Sequence, residues 1–303
     1  MRSSAVVPLV LSIAAFILSM LCLFAGSKQG FMEDYAIVTL NTSQIGRNVF
    51  NDSESTSSGN PVTNWIHNIT NSIESELNDD IGTFARDLGL HDWYSAHILD
   101  YCEGYFTPAA VPNATVTKSD IDKNITHCSN RTAFFHFDPS KTLQTELDNS
   151  GVGINLTSLD WPDAINDGIK TARVAQKAVF ILYCLAAGLL LICALAALVG
   201  IFLTGRLTAC VNMLLCTLAF FAILIASALA TTVAVKVANV VNQHGKDIGV
   251  SASKGGRFMA LTWVATVLAL LDCAVWAVEC CVGRRRKTYA KAQYGEFGGV
   301  ERK

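Results

Sequence analysis

The sequence predicts an all-α membrane protein: a four-helix transmembrane bundle with a large, mainly helical, disulfide-pinned first extracellular loop. Three observations carry this expectation. Four apolar stretches are long enough to cross a hydrocarbon core of about 30 Å, which takes about 20 residues of helix, in a chain with 51% apolar and only 16% charged residues. All seven Asn-X-Ser/Thr triplets fall in one segment between the first two stretches, and that segment holds just two of the ten cysteines.

Residues 1–4 read as a cytosolic N-terminus and residues 5–25 as the first span. Lipid offers the backbone no hydrogen-bond partner, so each span must pair its own N–H and C=O groups, and at this length that selects helix. Arg2 before an apolar run also fits a secretory signal, but a run of 21 residues exceeds the roughly 7–15 of a signal's apolar region. The segment therefore reads as a retained helix; cleavage after Gly26 would leave three spans.

Residues 27–177 form the first loop. Its triplets begin at Asn41, Asn51, Asn68, Asn113, Asn124, Asn130 and Asn155, a clustering that reads as an N-glycosylated surface outside the cytosol. Charge agrees. The loop holds 20 acidic and 10 basic residues, whereas Arg2, Arg206 and the run Arg284–Lys287 lie on the other side, the positive-inside pattern. Residues 178–203 form the second span, 204–206 a tight cytosolic turn and 207–235 the third span. Residues 236–257 form a second outer loop, which runs against the charge rule with four bases to Asp247. The fourth span is residues 258–282, and residues 283–303 are a basic cytosolic tail, so both termini are cytosolic.

Within the first loop, apolar residues at steps of three and four predict a helix over Trp65–Leu88. The stretch DWYSAHILDYCEGY (Asp92–Tyr105) repeats the pattern: Leu90, Tyr94, Ile98, Tyr101 and Tyr105 share a helical face, with Asp92 as cap and Gly104 as stop. A third helix starts at Trp161-Pro162 and runs through Ile165, Ile169 and Ala172 into the second span, Pro sitting in the first turn where its missing N–H is harmless. Asn48–Pro61 has a low-complexity composition. Asn113–Arg131 reads as a glycosylated excursion, and Ala133–Phe137 as a short strand or an apolar plug.

In an oxidising compartment the isolated Cys102 and Cys128 are expected to pair. Closing a loop of about 27 residues stabilises the domain by about 3–4 kcal/mol. A catalytic Cys102 would need a free thiolate and a base. A zinc set of His97, Cys102, His127 and Cys128 matches no usual ligand spacing. Asp100 and Glu103 read as a solvated helix face rather than an acid pair. No enzyme activity, catalytic group, cofactor, metal or nucleic-acid partner is expected.

In the spans, Asp272 sits deep, with Asn212 a candidate hydrogen-bond partner; the alternative is a proton or ion relay. Small-residue ladders at Ala222, Ala226, Ala230 and Ala234, at Ala265, Ala269, Cys273, Ala277 and Cys281, and at Ala196, Gly200 and Thr204 allow close helix packing or self-association. At the cytosolic exit Cys280 and Cys281 resemble a palmitoylation site. Beside them Arg284, Arg285, Arg286 and Lys287 would attract anionic or phosphoinositide lipids at roughly 1 kcal/mol each; a plain stop-transfer anchor is the alternative.

The span layout, the DWYSAHILDYCEGY stretch, Cys128 and the sequence GVSASKGGRFMALTWVAT (Gly249–Thr266) together resemble the fungal SUR/PalI family of eisosome-associated four-span plasma-membrane proteins. Trp93, Tyr94, Ser95, Tyr101, Cys102, Glu103 and Gly104 carry the most specific part of the resemblance. Trp93 upstream of Cys102 and Cys128 is similar to the wider claudin-like superfamily, but the longer loop and wider cysteine spacing depart from claudins. The resemblance implies a non-enzymatic, multi-pass plasma-membrane protein. It implies a role in furrow-like domains, endocytosis, cell-wall integrity and sphingolipid balance, with cortical scaffold proteins and lipids as partners. A PalI-type sensor of ambient pH or wall stress is the alternative, and the short tail favours the eisosomal branch.

Overall fold

The computed structural model describes residues 5–45, 85–112, 115–202 and 206–297, with backbone alone for Arg206 and for residues 282–297. Among them, four helices are long and apolar enough to cross a membrane: α1 (Val6–Phe24), α3 (Asp163–Phe202), α4 (Arg206–His244, apolar from Leu207) and α5 (Gly256–Phe297, apolar to Cys281). Besides short 3-10 turns, the described residues form β1 (Val38–Asn41), β2 (Trp93–Ala96), β3 (Tyr101–Thr107), β4 (Asp122–Cys128), α2 (Pro139–Ser150) and β5 (Ser251–Lys254).

Among its described residues the first loop is not mainly helical. It supplies four strands, and the second loop a fifth, of an antiparallel sheet in the order β4-β3-β2-β1-β5. The predicted helix over Leu90–Tyr105 is instead the β2–β3 hairpin, closed by His97 N–H donating to the Asp100 carbonyl at 2.9 Å. Its two central turn residues, Ile98 and Leu99, are buried, so the turn lacks the Gly, Asn or Asp that marks a hairpin in sequence. All four β2 residues are buried as well, which removes the apolar-polar alternation of a half-exposed strand. Gly104 does not end a helix. It lies at an irregularity in the β3–β4 ladder, where a Cβ would collide with the Asn124 carbonyl and the Trp93 ring.

The excursion over Asn113–Arg131 contains β4 as an edge strand. Ala133–Phe137 forms no strand; Phe137 is buried and packs on Tyr94 and Tyr101, with ring centroids 6.4 and 5.5 Å away. Of the predicted Trp65–Leu88 helix only the end lies within the described residues, with Ala85–Asp87 helical. The segment Asn48–Pro61 and most of the 204–206 turn lie outside the described residues.

The opposite edge of the sheet comes from the second loop. β5 pairs with β1 in the register Val38 to Lys254 and Asn41 to Ser251. Main-chain pairing puts these two segments on one side of any membrane that α3 and α4 cross, because lipid cannot host an open ladder.

α2 starts at Asp138, whose carboxylate accepts from the Lys141 N–H at 3.3 Å, has Pro139 in its first turn, and ends at Gly151 in the left-handed conformation (φ 72°). These are the expected start and stop signals. Leu143 and Leu147, one turn apart, are its buried face.

The described chain divides into two compact units: Met1–Leu23 with Ile181–Ala228 and Ala260–Lys303, and Phe24–Phe180 with Leu229–Met259. The second contains the sheet, with a core that includes Ile37, Leu40, Trp93, Tyr94, Leu143, Leu147, Ile165 and Ile169. In the first, α1 buries Pro8, Ser12, Ala15, Ser19 and Cys22, a stripe of mainly small residues at steps of four and three, while Val6, Val10, Ile13 and Ile17 point outward. That is the packing of a spanning helix, with small residues against protein and large apolar ones toward lipid. On α5, Ala265 and Ala269 are buried, but Cys273 and Ala277 are less so and Asp272 and Trp276 take their place. A ladder of four-residue steps rotates about 40° per step around a 3.6-residue helix, so it leaves the packed face after two steps.

Candidate functional site

The hairpin concentrates polar groups in the sheet unit. Strand register sets Trp93 against Gly104, Tyr94 against Glu103, Ser95 against Cys102 and Ala96 against Tyr101. Residues far apart on one helix thus become cross-strand partners. Cys102 in turn faces Cys128 on β4, and the two sulfurs are bonded at 2.04 Å. Both thiols that a catalytic cysteine or the four-residue zinc set would need are therefore spent.

Asp92 acts as a clamp rather than a helix cap. Its carboxylate is fully buried, accepts from Arg86 Nη2 at 2.5 Å and from the Phe106 N–H at 2.8 Å, and so ties the start of β2 to the end of β3. Arg86 Nη2 also donates to the Phe106 carbonyl at 2.7 Å, and its guanidinium lies 5.1 Å from the Tyr105 ring centroid.

Beside this clamp lie His91, Tyr94 and Glu103 from the hairpin region and Glu146 from α2. His91 Nδ1 is 3.1 Å from Glu146 Oε1, and Tyr94 donates its hydroxyl to Glu146 Oε2 in a short hydrogen bond. Glu103 Oε1 is 3.1 Å from His127 Nδ1 on β4. Glu103 Oε2 is buried and has no hydrogen-bond partner among the described residues.

Burial and the repulsion of Glu146 hold the Glu103 carboxyl above the usual range. Burial opposes charge on His91, but the hydrogen bond and field of Glu146, with the fields of Glu103 and Asp92, outweigh it and raise its pKa. The sequence reading missed Glu146 altogether, because it reaches the site from another element. A carboxylate on an amphipathic helix gives no signal that it points inward.

A second polar group surrounds the hairpin turn. Burial lowers the His97 pKa to about 4 and raises that of Asp100 to about 6, the latter partly offset by the field of Arg131. Asp100 is thus not on a solvated face. His97, Asp100 and Cys102 are close enough to share an ion, but the Cys102 sulfur is already bonded.

Among the spans, Asp272 does not pair with Asn212. Its Oδ2 is 2.6 Å from Ser12 Oγ and 3.3 Å from Cys216 Sγ, one turn beyond Asn212, which donates to the Ala196 carbonyl at 3.3 Å. Cys280 is bonded to Cys210 and Cys281 is exposed, so in this form only Cys281 of that pair could carry a thioester. The Arg284, Arg285, Arg286 and Lys287 side chains lie outside the described residues, as do Asn51, Asn68 and Asn113. Asn124, Asn130 and Asn155 are exposed. Asn41 ends β1, its Oδ1 accepting from the Ser43 N–H at 3.0 Å and the Ser43 hydroxyl at 2.7 Å.

Sequence comparison matches residues 4–275 to the family described as SUR7/PalI. A curated relative, the SUR7 family protein pun1 of Schizosaccharomyces pombe, is 26% identical over 183 residues, covering 56% of this chain and 57% of the relative. The chain thus spans little more than half the length of that relative. No solved structure matches it.

Proposed function

Because the chain belongs to the SUR7/PalI family, we propose that it is a non-enzymatic, multi-pass plasma-membrane protein that organises eisosome or furrow-like membrane domains, with links to endocytosis, cell-wall integrity and sphingolipid balance. The observation that carries this reading is the extent of the family match, which takes in all of α1, the whole sheet and the apolar first half of α5. The sheet unit, carrying the sequons, faces the wall. The small-residue helix faces, the basic run Arg284–Lys287 and an acylated Cys281 assemble laterally with anionic, phosphoinositide and sphingolipid-rich membrane, with further copies and with cortical scaffold proteins.

Live-cell imaging of a tagged full-length chain tests the proposal. Static cortical patches are expected, and a null mutant should alter patch morphology and wall resistance. A uniform or internal-membrane signal, with unchanged patches in the null, refutes it.

The second reading, a sensor of external pH or wall stress, is favoured by one observation: one small domain buries His97, Asp100 and Glu103 and half-buries His91, where burial and neighbouring charge shift the protonation of each. A pH-dependent signalling defect in the null, with patches intact, would select it.

A further inference from the structure

The sheet unit gathers negative charge that its own cations do not neutralise. Arg86 is committed to Asp92, the two Nε contacts being 3.2 Å and the Nη2 contact 2.5 Å. His127, largely exposed, reaches only Glu103 Oε1 among the described residues. Glu103 and Glu146 then face each other across His91. One ligand atom from each of the three lies within 4.8 Å of the others, and Glu103 Oε2, on a residue 7% exposed, has no donor among the described residues. A buried acceptor-only oxygen beside a second carboxylate calls for a proton or a cation.

We propose that His91 Nδ1, Glu103 Oε2 and a carboxylate oxygen of Glu146 form a binding site for a divalent transition-metal ion of the Zn2+ class. Spacing supports it. Two ligands bonded to zinc at about 2.0–2.1 Å in a tetrahedron lie about 3.3 Å apart, and His91 Nδ1 and Glu146 Oε1 are 3.1 Å apart.

The donor set favours this class of ion. Mixed imidazole and carboxylate donors suit zinc and its neighbours, whereas calcium and magnesium take oxygen alone. Each carboxylate already has the outer hydrogen bond that orients a metal ligand: Tyr94 donates to Glu146, and His127 is in reach of Glu103. Tyr105 stacks on the His91 ring at 4.8 Å and limits its rotation. His91 and Glu146 are partly exposed, which gives an ion a path inward. Where His91 carries two protons, binding releases the one on Nδ1 to solvent as the metal takes that lone pair. The inference stands on these contacts and not on the proposed membrane-domain role.

The test uses the full-length chain in detergent micelles, with free thiols alkylated and metal removed by chelation. It is titrated with Zn2+ by calorimetry and with Co2+ by visible absorption. One equivalent is expected in the wild type, with ligand-field bands for Co2+. Glu146→Gln and His91→Gln should each weaken binding by at least tenfold, and Asp120→Asn, at an exposed acid outside the site, should not.

A cooperative thermal unfolding transition like that of the wild type, read by circular dichroism without metal, shows that each variant has folded. No Zn2+ binding by the wild type, with only a pH-dependent change in stability, would mean that the carboxylates share a proton, and it overturns the proposal. Stoichiometric binding that survives in the folded Glu146→Gln variant overturns it equally.

Discussion

His97 and Asp100 close the β2–β3 turn with opposite ionisation preferences. Asp100 has its pKa raised from 3.8 to about 6, so the folded state holds its proton more tightly. Its contribution is present at low pH and is lost as pH rises through about 6. His97 has its pKa lowered from 6.5 to about 4, so its contribution is present above 6.5 and is lost as pH falls toward 4. Each amounts to roughly 3 kcal/mol, and over the shared window they oppose each other. Asp100→Asn should therefore make stability rise with pH between about 4 and 6.5, and His97→Gln should make it fall, whereas the wild type stays flatter than either. Thermal unfolding of the three proteins across that range checks this. Neither behaviour is legible in the sequence, where Asp100 reads as part of a solvated helix face and His97 only as a member of a zinc set with the wrong spacing. Their burial follows from a turn built on Ile98 and Leu99 that tucks inward.

At the level of elements, the spanning helices declared themselves, whereas α2 and the strands did not. α3 starts just after the predicted Trp161-Pro162 signal, because proline and a periodic apolar stripe act locally. β1, β2 and β5 have four residues each, too few to establish a period, and their stability comes from partners distant in sequence. β5 is fastened by Asn242 on α4, which donates from Nδ2 to the Ala252 carbonyl and accepts the Ala252 N–H at Oδ1, both at 2.8 Å. Asn242→Ala removes both bonds, a loss of about 1–3 kcal/mol. Amide exchange at Ser251–Lys254 should accelerate by about tenfold or more, while the β2–β3 amides change little. Equal acceleration of both would mean that the sheet opens as one unit. The candidate site shares this split: Tyr94 and Glu103 stand out in the sequence, but only the packing of α2 against the hairpin brings Glu146 to them.

On the scale of the whole molecule, the four apolar helices are legible because lipid imposes a length and a composition that no tertiary contact can replace. The loop domain escapes that constraint, and its sheet answers to long-range pairing instead. Accessibility gives a pattern for its sequons. Asn124, Asn130 and Asn155 are exposed, whereas Asn41 is tied to Ser43, and Thr42 and Ser43 are fully buried. Replacing each of the three exposed Asn by Gln should increase gel mobility by one glycan, and Asn41→Gln should leave it unchanged. A shift at Asn41 would show that sugar is attached before β1 docks. The joining of β1 to β5 also orders events during synthesis. The ribosome makes residues 38–41 early, but their neighbour at 251–254 emerges only after two more hydrophobic segments have been threaded. Until then the nascent domain carries a bare rim of amides that invites mispairing, and a chain stalled or truncated before residue 251 displays that rim to the quality-control machinery as a mark of incompleteness.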